Sequence, residues 1–265
     1  MSMSTIELDG IRVDYEIVGA GGGPAVVLPH ARPFVSLYRP LVGALAGRPV
    51  LHYQRETPDD PAHGIEDDAR LCVRLLAHVG IDRPHVVGHS YGGLVALELA
   101  RGWPGDIRSI ALLEPAPIGL LPPAEAATRM TGLAELARTG GPAAAMDQFL
   151  RAVGGPDGPE ALDRLVPGAM PDALAHAAGF FAVELPAAVR WSFDPVAAGR
   201  VTLPVLHLHG GASSPRFAEG RRILEERFPT ADQHVLPEAN HLLPAQQPAV
   251  IADLLTRFWR SAGGI

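Results

Sequence analysis

The sequence lacks the features that define several large classes of protein. It contains one cysteine, Cys72, so no disulfide can form within the chain. No stretch approaches the roughly 18 uninterrupted apolar residues of a membrane span, and residues 1–7 carry neither the basic nor the apolar region of a secretory signal. No His-Glu-x-x-His pattern occurs, and a single cysteine cannot supply a thiolate cluster, so we expect no bound metal. These absences favour a cytoplasmic protein.

Positive charge is also in short supply. The 22 Lys and Arg residues are outnumbered by 29 Asp and Glu residues, which gives a formal net charge of −7 and a pI near 5.9. This balance argues against nucleic acid or an anionic membrane as the main partner. With 265 residues, 47% of them hydrophobic, the chain is long enough to bury a large core. We therefore expect a globular protein whose partner is a small molecule, while its oligomeric state stays open.

Short apolar runs alternate with helical patterns over much of the chain. Two runs, 6–8 and 12–17, are separated by Asp9-Gly10 and predict a β-hairpin. Further strands are predicted at 25–28, 50–53, 85–88, 107–113, 205–209 and 233–236, and helices at about 67–79, 94–101, 216–228 and 249–260. Such alternation of strand and helix predicts an α/β protein with a mainly parallel sheet.

The alternation stops at Pro115 and returns only after about residue 200. The intervening stretch is rich in Ala, Pro and Leu, and its helical patterns fall near 123–138, 142–153, 159–166 and 171–184. A helical insertion in an α/β sheet is most simply a cap over the edge where active sites form. We therefore predict a core made of residues 1–114 and 201–265, with residues 115–200 inserted as a helical cap.

A serine between two glycines follows the predicted strand 85–88. The motif Gly88-His89-Ser90-Tyr91-Gly92 matches Gly-x-Ser-x-Gly and opens a helix, which is the context that a nucleophile elbow requires. The serine of such an elbow has a strained backbone, and side chains two residues to either side would collide with neighbouring backbone. Glycine at 88 and 92 removes those collisions, and Gly93 leaves room for close packing of helix on strand. A glycine-rich turn without chemistry is the simpler alternative.

This pattern resembles the α/β-hydrolase superfamily, and the resemblance extends over essentially the whole chain. It implies a mostly parallel eight-stranded sheet with helices on both faces and a helical cap insertion. It also implies a catalytic histidine in the loop after the last strand, in the chain order Ser, acid, His. His241 lies in that loop, within 236–244, and is the histidine among the chain's 11 that position selects as general base.

The catalytic acid departs from the commoner pattern of this superfamily. Most relatives carry Asp in the loop after the strand that corresponds to 205–209, but that loop here, 210–215, contains no carboxylate. Glu114 ends the strand that follows the elbow helix, and some branches keep their acid there, including haloalkane dehalogenases and the zearalenone-lactonase type. We therefore expect Glu114 to be the acid, unless it caps its strand or pairs with an arginine. Glu98 is expected to be a solvated helix residue, and Glu219 to point away.

Two backbone N–H groups should form the oxyanion site that the resemblance implies. One is expected from Tyr91, directly after the nucleophile. The other should come from the loop after strand 25–28, where relatives usually have His-Gly and this chain has His30-Ala31. By position the donor is Arg32, with Ala31 as the alternative, whereas Pro33 has no N–H. Arg32 could instead form a salt bridge to a carboxylate.

These residues predict a serine hydrolase that cleaves a carboxylic ester or lactone through an acyl-enzyme, without a cofactor. A carbon–carbon bond hydrolase acting on a β-diketone would use the same three residues, and a non-catalytic ligand-binding protein of this fold could also retain them. Ser rather than Asp at position 90 argues against epoxide hydrolase and dehalogenase chemistry. The larger apolar residues of the cap should shape the pocket, with Phe149, Phe181 and Trp191 as candidates for its wall, besides Met130, Met146, Met170 and Phe180.

Overall fold

The sheet has eight strands, as predicted. In the computed structural model, which describes residues 3–56, 58 and 60–262, the spatial order is β1-β2-β4-β3-β5-β6-β7-β8. The strands are β1 (Ser4–Leu8), β2 (Ile11–Val18), β3 (Val26–Leu28), β4 (Val50–Arg55), β5 (His85–Ser90), β6 (Ser109–Pro115), β7 (Val205–Gly210) and β8 (Asp232–Leu236). β1 and β2 form the predicted hairpin, and β2 runs antiparallel to β4. The pairs from β4 through to β8 are all parallel, so the mostly parallel sheet is confirmed.

The central strands are buried along their length. Every residue of β3, β6 and β7 is buried, which explains why these segments read as continuous apolar runs and not as alternating ones. The first two strands have one partly exposed face, and their sequences alternate accordingly. The parallel strands end at a common edge, and Ser90, Pro115 and Gly210 all lie there. That edge is where an α/β sheet forms a crevice for ligands.

Helices cover both faces of the sheet. The core helices are α1 (Arg39–Ala44), α2 (Ile65–His78), α3 (Tyr91–Gly102), α11 (Pro215–Arg227), α12 (Leu243–Gln246) and α13 (Pro248–Ser261). Helix α1 packs against α13, and α2 packs against α3. Three acidic residues lie in the first turn of α2, where their charge suits the positive end of the helix dipole.

After Pro115, which ends β6, all regular structure up to residue 200 is helical, in agreement with the helical patterns of the sequence. The helices are α4 (Pro123–Thr139), α5 (Pro142–Gly154), α6 (Gly158–Leu165), α7 (Ala169–Ala175), α8 (Ala177–Gly179), α9 (Leu185–Arg190) and α10 (Pro195–Ala198). A 3-10 turn, Pro117–Leu120, precedes α4, and a π-helical turn, Phe180–Glu184, joins α8 to α9. The pattern that predicted one helix over 171–184 is thus broken near His176 and continues to Arg190. We call residues 115–200 the helical segment; its role as a separate cap stays a prediction.

No single helix within the described residues is long and apolar enough to cross a membrane. Taken together, Ala169–Ala175 and Ala177–Arg190 meet the length and composition of a span, but a bend of 56° separates them.

Candidate active site

Ser90 occupies a strained turn between β5 and α3. Its backbone has φ 53° and ψ −120°, a conformation that residues with a side chain rarely adopt. Such strain costs of the order of 1–3 kcal/mol and persists only where the surrounding structure enforces it. The turn places the serine at the common edge of the parallel strands, as the elbow motif predicts.

The glycines of the motif are required by close backbone contacts. A Cβ atom on Gly88 would lie 2.2 Å from the carbonyl oxygen of Gly92, and one on Gly92 would lie 1.9 Å from the carbonyl oxygen of Pro29. Gly93 packs closely on β6, since a Cβ there would lie 2.8 Å from the Cα of Pro115. The steric reasoning from the sequence is confirmed. In addition, Gly92 allows the elbow to pack against the loop after β3.

A bulge in β6 turns Glu114 out of the regular strand. Along β5 and β6, His89 pairs with Leu113 but Ser90 pairs with Pro115, so Glu114 is the extra residue. Its φ of 42° lies in the left-handed region, as does that of Ser90. Bulges re-aim side chains next to functional sites. Here the bulge directs the Glu114 carboxylate at the loop that carries His241.

Glu114 and His241 are joined by a buried hydrogen bond. His241 Nδ1 lies 2.9 Å from Glu114 Oε2, and both residues are almost fully buried. Because a carboxylate only accepts, Nδ1 carries the proton and Nε2 of the neutral ring is left as an acceptor. Burial opposes ionisation of Glu114, but the hydrogen bonds that His241 and the Gly210 N–H donate to the carboxylate outweigh it and hold the pKa of the carboxyl below its ordinary value.

The other carboxylate oxygen of Glu114 faces strand β7. The Gly210 N–H donates to Oε1 at 2.8 Å, and His209 Nδ1 lies 3.1 Å from the same oxygen. His209 was not singled out from the sequence, because no signal in the sequence links it to Glu114. The end of β7, where the commoner acid would follow, thus contributes one donor to Glu114, the Gly210 N–H, and places the His209 ring beside it.

The His241 loop is fixed by a second histidine and a tyrosine. His89 Nε2 lies 2.9 Å from the carbonyl oxygen of His241, so this nitrogen must carry the proton. His89 Nδ1 then accepts a hydrogen bond of 2.8 Å from the hydroxyl of Tyr38. Burial lowers the pKa of His89 well below its ordinary value, which keeps it in this neutral form. The variable residue of the elbow motif therefore holds the loop of the candidate base.

Ser90 and His241 line the same cavity. The hydrogen bonds of the described residues join His241 to Glu114 but include none from the Ser90 hydroxyl to His241. In ligand-free structures catalytic hydrogen bonds are often long and tighten when substrate binds. The three residues selected from the sequence are thus brought to one place by three different segments of the chain.

The structure corrects the expected second oxyanion donor. The N–H of Arg32 donates to Glu184 Oε1 at 2.9 Å, so it is not free to face the cavity. Its guanidinium donates to Gln54, and it forms no salt bridge to a carboxylate among the residues that the structure describes. Ala31, the alternative, lines the cavity together with Tyr91. The N–H of Tyr91, at the start of α3, has no acceptor within the helix.

The cavity is apolar and encloses about 340 Å³. Phe149 lines it as predicted, and so do Met130 and Phe180 from the helical segment. Phe181 and Trp191 do not line it, and these two predictions were wrong. Further aromatic lining residues that were not singled out come from the core: Phe34, Tyr38 and Phe217.

Trp191 has a different function from the one expected. Its indole Nε1 donates to Glu98 Oε2 at 3.0 Å, and its ring stacks on Phe193. Glu98, expected to be solvated, is buried and also forms an ion pair of 2.5 Å with Arg101. The hydrogen bond between Trp191 and Glu98 thus joins the helical segment to α3 at a place away from the cavity.

Among the residues that the structure describes, no group of three or more His, Cys, Asp or Glu side chains is placed to hold a metal ion.

The sheet order, the strained serine at the end of β5 and the mainly apolar cavity beside it are those of an α/β hydrolase. The model of the alpha/beta hydrolase family matches residues 19–254, most of the chain, and the chain belongs to that family.

The chain is similar to known hydrolases in sequence and in fold. It is 38% identical over 108 residues to "Putative carbamate hydrolase RutD" of Variovorax paradoxus (strain S110), covering 37% of this chain and 41% of that protein. The aligned part therefore spans about two fifths of the length of this curated relative. The enol-lactonase from Burkholderia xenovorans LB400 superposes with a TM-score of 0.80 at 23% identity, covering 97% of this chain and 100% of that one. A thermophilic esterase from Thermogutta terrifontis gives 0.78 at 20% identity, covering 99% and 98%.

Proposed function

We propose that the protein is a serine hydrolase that cleaves carboxylic esters or lactones, with Ser90 as nucleophile, His241 as general base and Glu114 as the acid. The observation that carries the proposal is the 2.9 Å hydrogen bond between His241 Nδ1 and Glu114 Oε2, beside the cavity that Ser90 lines. This bond leaves Nε2 of His241 as the acceptor that a serine nucleophile needs. The family match supports hydrolysis as the class of reaction.

The reaction proceeds in two acyl transfers. His241 Nε2 takes the proton of the Ser90 hydroxyl as its oxygen attacks the carbonyl carbon, and the oxyanion forms between the N–H groups of Tyr91 and Ala31. His241 then gives the proton to the departing alkoxide, which leaves an ester on Ser90. A water molecule, deprotonated by His241, attacks the carbonyl carbon of that ester. His241 then returns the proton to the Ser90 oxygen as the bond to the acyl group breaks, which releases the carboxylic acid and regenerates the serine. Glu114 remains an ionised carboxylate throughout. It stabilises the imidazolium of His241, which forms twice in the cycle.

The cavity favours a substrate with an apolar acyl or aryl group of modest size. Its volume of about 340 Å³ is near the lower end for ligand pockets, and aromatic and aliphatic side chains form most of its wall. The ester and the lactone differ here only in whether the leaving alkoxide stays attached to the acyl group. The name of the relative from Variovorax paradoxus adds carbamates as a third acyl class for the assay.

The test is labelling with a fluorophosphonate, followed by mapping of the modified peptide. We expect a stoichiometric adduct on Ser90 in the wild type and none in Ser90→Ala. Hydrolysis of 4-nitrophenyl esters, aliphatic lactones and aryl carbamates then ranks the substrate classes.

The other readings of the site predict different results. A folded wild type that takes no label and cleaves no ester, lactone or carbamate would contradict the proposal and favour a ligand-binding protein. A labelled enzyme that cleaves a β-diketone faster than any ester would replace ester hydrolysis with carbon–carbon bond hydrolysis.

A further inference from the structure

Three buried charges lie together behind the cavity. Arg55 at the end of β4, Asp68 in α2 and Glu184 in the π-helical turn are each 4% exposed or less. Arg55 Nε lies 2.5 Å from Asp68 Oδ1, and its Nη2 lies 2.8 Å from Glu184 Oε1. We call these three residues the buried cluster. Arg55 is the cation of the three and pairs with both carboxylates, so its removal would leave two buried negative charges side by side.

One end of the buried cluster holds the loop after β3. Glu184 Oε1 accepts the N–H of Arg32 at 2.9 Å. Arg32 starts a short 3-10 helix, where the first N–H groups have no acceptor within the helix. The residue before it, Ala31, lines the cavity and is the remaining candidate for the second oxyanion donor. Glu184 therefore fixes the peptide that adjoins this donor.

The other end of the buried cluster holds the residue after the nucleophile. The hydroxyl of Tyr91 donates to Asp68 Oδ2 at 2.5 Å, and Arg55 Nη2 donates to the same oxygen at 2.7 Å. The backbone N–H of Tyr91 is the first oxyanion donor. A continuous chain of hydrogen bonds thus runs from Arg32 through Glu184, Arg55 and Asp68 to Tyr91.

The π-helical turn links this chain of hydrogen bonds to the substrate cavity. Phe180 at its start lines the cavity, and Glu184 at its end belongs to the buried cluster. π-Helical turns are rare and are found often at functional sites. An ordinary α-helical turn would shift the angular relation between these two side chains, because residues beyond the turn would rotate about the helix axis.

We propose that Glu184 is a positioning residue which, through Arg55 and Asp68, sets the separation of the two oxyanion donors. The inference rests on the proposed function, since it concerns donors for an acyl-transfer oxyanion. Oxyanion donors act only when they are preorganised at hydrogen-bond distance from the developing charge. A shift of a few tenths of an ångström at the Ala31 peptide reduces the stabilisation of the transition state and leaves the affinity for the substrate nearly unchanged.

The test compares Glu184→Ala with Glu98→Ala in the full-length protein. Both substitutions remove a buried carboxylate that joins the helical segment to the core, but Glu98 is bonded to Trp191 and Arg101, away from the oxyanion donors. For 4-nitrophenyl acetate we expect Glu184→Ala to lower kcat by roughly 30-fold with KM within about threefold. Inhibition by phenylboronic acid, which forms a tetrahedral adduct on the serine, should weaken by the same factor. Glu98→Ala should keep kcat within about twofold.

The conservative variant separates position from charge. Glu184→Gln retains an oxygen that can accept the Arg32 N–H, so it should recover most of kcat although the side chain is neutral. The proposal is overturned if folded Glu184→Ala keeps wild-type kcat, if its loss falls on KM alone, or if Glu98→Ala loses as much.

A variant on the other end covers the case in which Glu184→Ala does not fold. Tyr91→Phe removes only the hydroxyl that donates a hydrogen bond to Asp68. It should lower kcat and the affinity for phenylboronic acid together. Unchanged values of both would overturn the proposal. Failure of the proposed function itself is recognised separately, because the wild type would then neither label at Ser90 nor turn over an ester.

Discussion

The ring of Phe217 stacks on the imidazole of His241. Their centroids are 4.1 Å apart and their planes are inclined by 23°. Phe217 lies in the first turn of α11 and is buried, so one face of the candidate base rests on a fixed aromatic surface. Together with the Glu114 hydrogen bond on Nδ1, this contact leaves the ring little freedom to rotate. Sequence reasoning did not select Phe217.

Replacing the aromatic ring of Phe217 should lower kcat more than it lowers the stability of the protein. Because aromatic pairs contribute about 0.5–1.5 kcal/mol, we expect Phe217→Leu to lower kcat for 4-nitrophenyl acetate by about tenfold through a less ordered imidazole. Phe228→Leu is the matched control, since it removes a buried ring at the end of the same helix that contacts Phe193. Equal kcat values in the two variants would show that the stacking does not orient the base.

Removing the charge of the proposed acid should nearly abolish turnover. We expect Glu114→Gln to lower kcat by roughly 100-fold or more, because an amide can donate to His241 and favour the wrong tautomer. Glu219→Gln, on the helix after β7, removes a carboxylate bonded to Arg129 and should keep kcat within about twofold. The measurement is kcat on an aryl ester with both proteins shown to be folded. If Glu114→Gln retains more than about a tenth of wild-type kcat, the acid lies elsewhere.

The two phenylalanines predicted to line the cavity should now differ. Phe149 faces the cavity and Phe181 does not, so Phe149→Ala should enlarge it while Phe181→Ala leaves its shape unchanged. We expect Phe149→Ala to raise the ratio of kcat/KM for octanoate over acetate esters by about tenfold, the order of effect of a few methylenes in an apolar pocket. The same gain in Phe181→Ala would mean that the helical segment rearranges when substrate binds.

Lowering the pH from about 6.5 should progressively reduce the free energy of unfolding of the protein. Burial lowers the pKa of His30 to about 3 and that of His207 to about 4, from an ordinary value near 6.5. The unfolded chain therefore binds these protons first, so the stability is complete above about pH 6.5 and is lost as the pH falls towards 4. Each histidine contributes a slope of about 1.4 kcal/mol per pH unit in that window.

Urea unfolding between pH 7 and 5 measures this slope. Replacing His207 by Gln should reduce the slope by the contribution of one histidine, about 1.4 kcal/mol per pH unit. A free energy of unfolding that stays flat over the range would contradict the prediction.

The fold could be predicted because its signals are local. Buried parallel strands read as apolar runs, the hairpin turn is Asp9-Gly10, and the elbow needs glycine at fixed positions. The place of Glu114 followed from its position at a strand end, but the bulge that turns it towards His241 leaves no pattern in the sequence. His209 was missed for the same reason, since its contact with Glu114 depends on strand register.

The wrong predictions concern contacts between segments far apart in the chain. Arg32 was assigned an oxyanion N–H by position, whereas its partner Glu184 lies 152 residues later. Phe181 and Trp191 were chosen for size alone. Phe180 lines the cavity and the next residue, Phe181, does not, and the sequence offers no signal that distinguishes these two neighbours.

Among the described residues, four non-glycine residues have a positive φ, and two of them are Ser90 and Glu114. A glycine at either position would relieve backbone strain of about 1–3 kcal/mol. The proposed nucleophile and acid therefore both lower the stability of the scaffold that carries them. Backbone strain at the end of β5 and in the bulge of β6 therefore coincides with the two side chains that the proposed mechanism uses as nucleophile and acid.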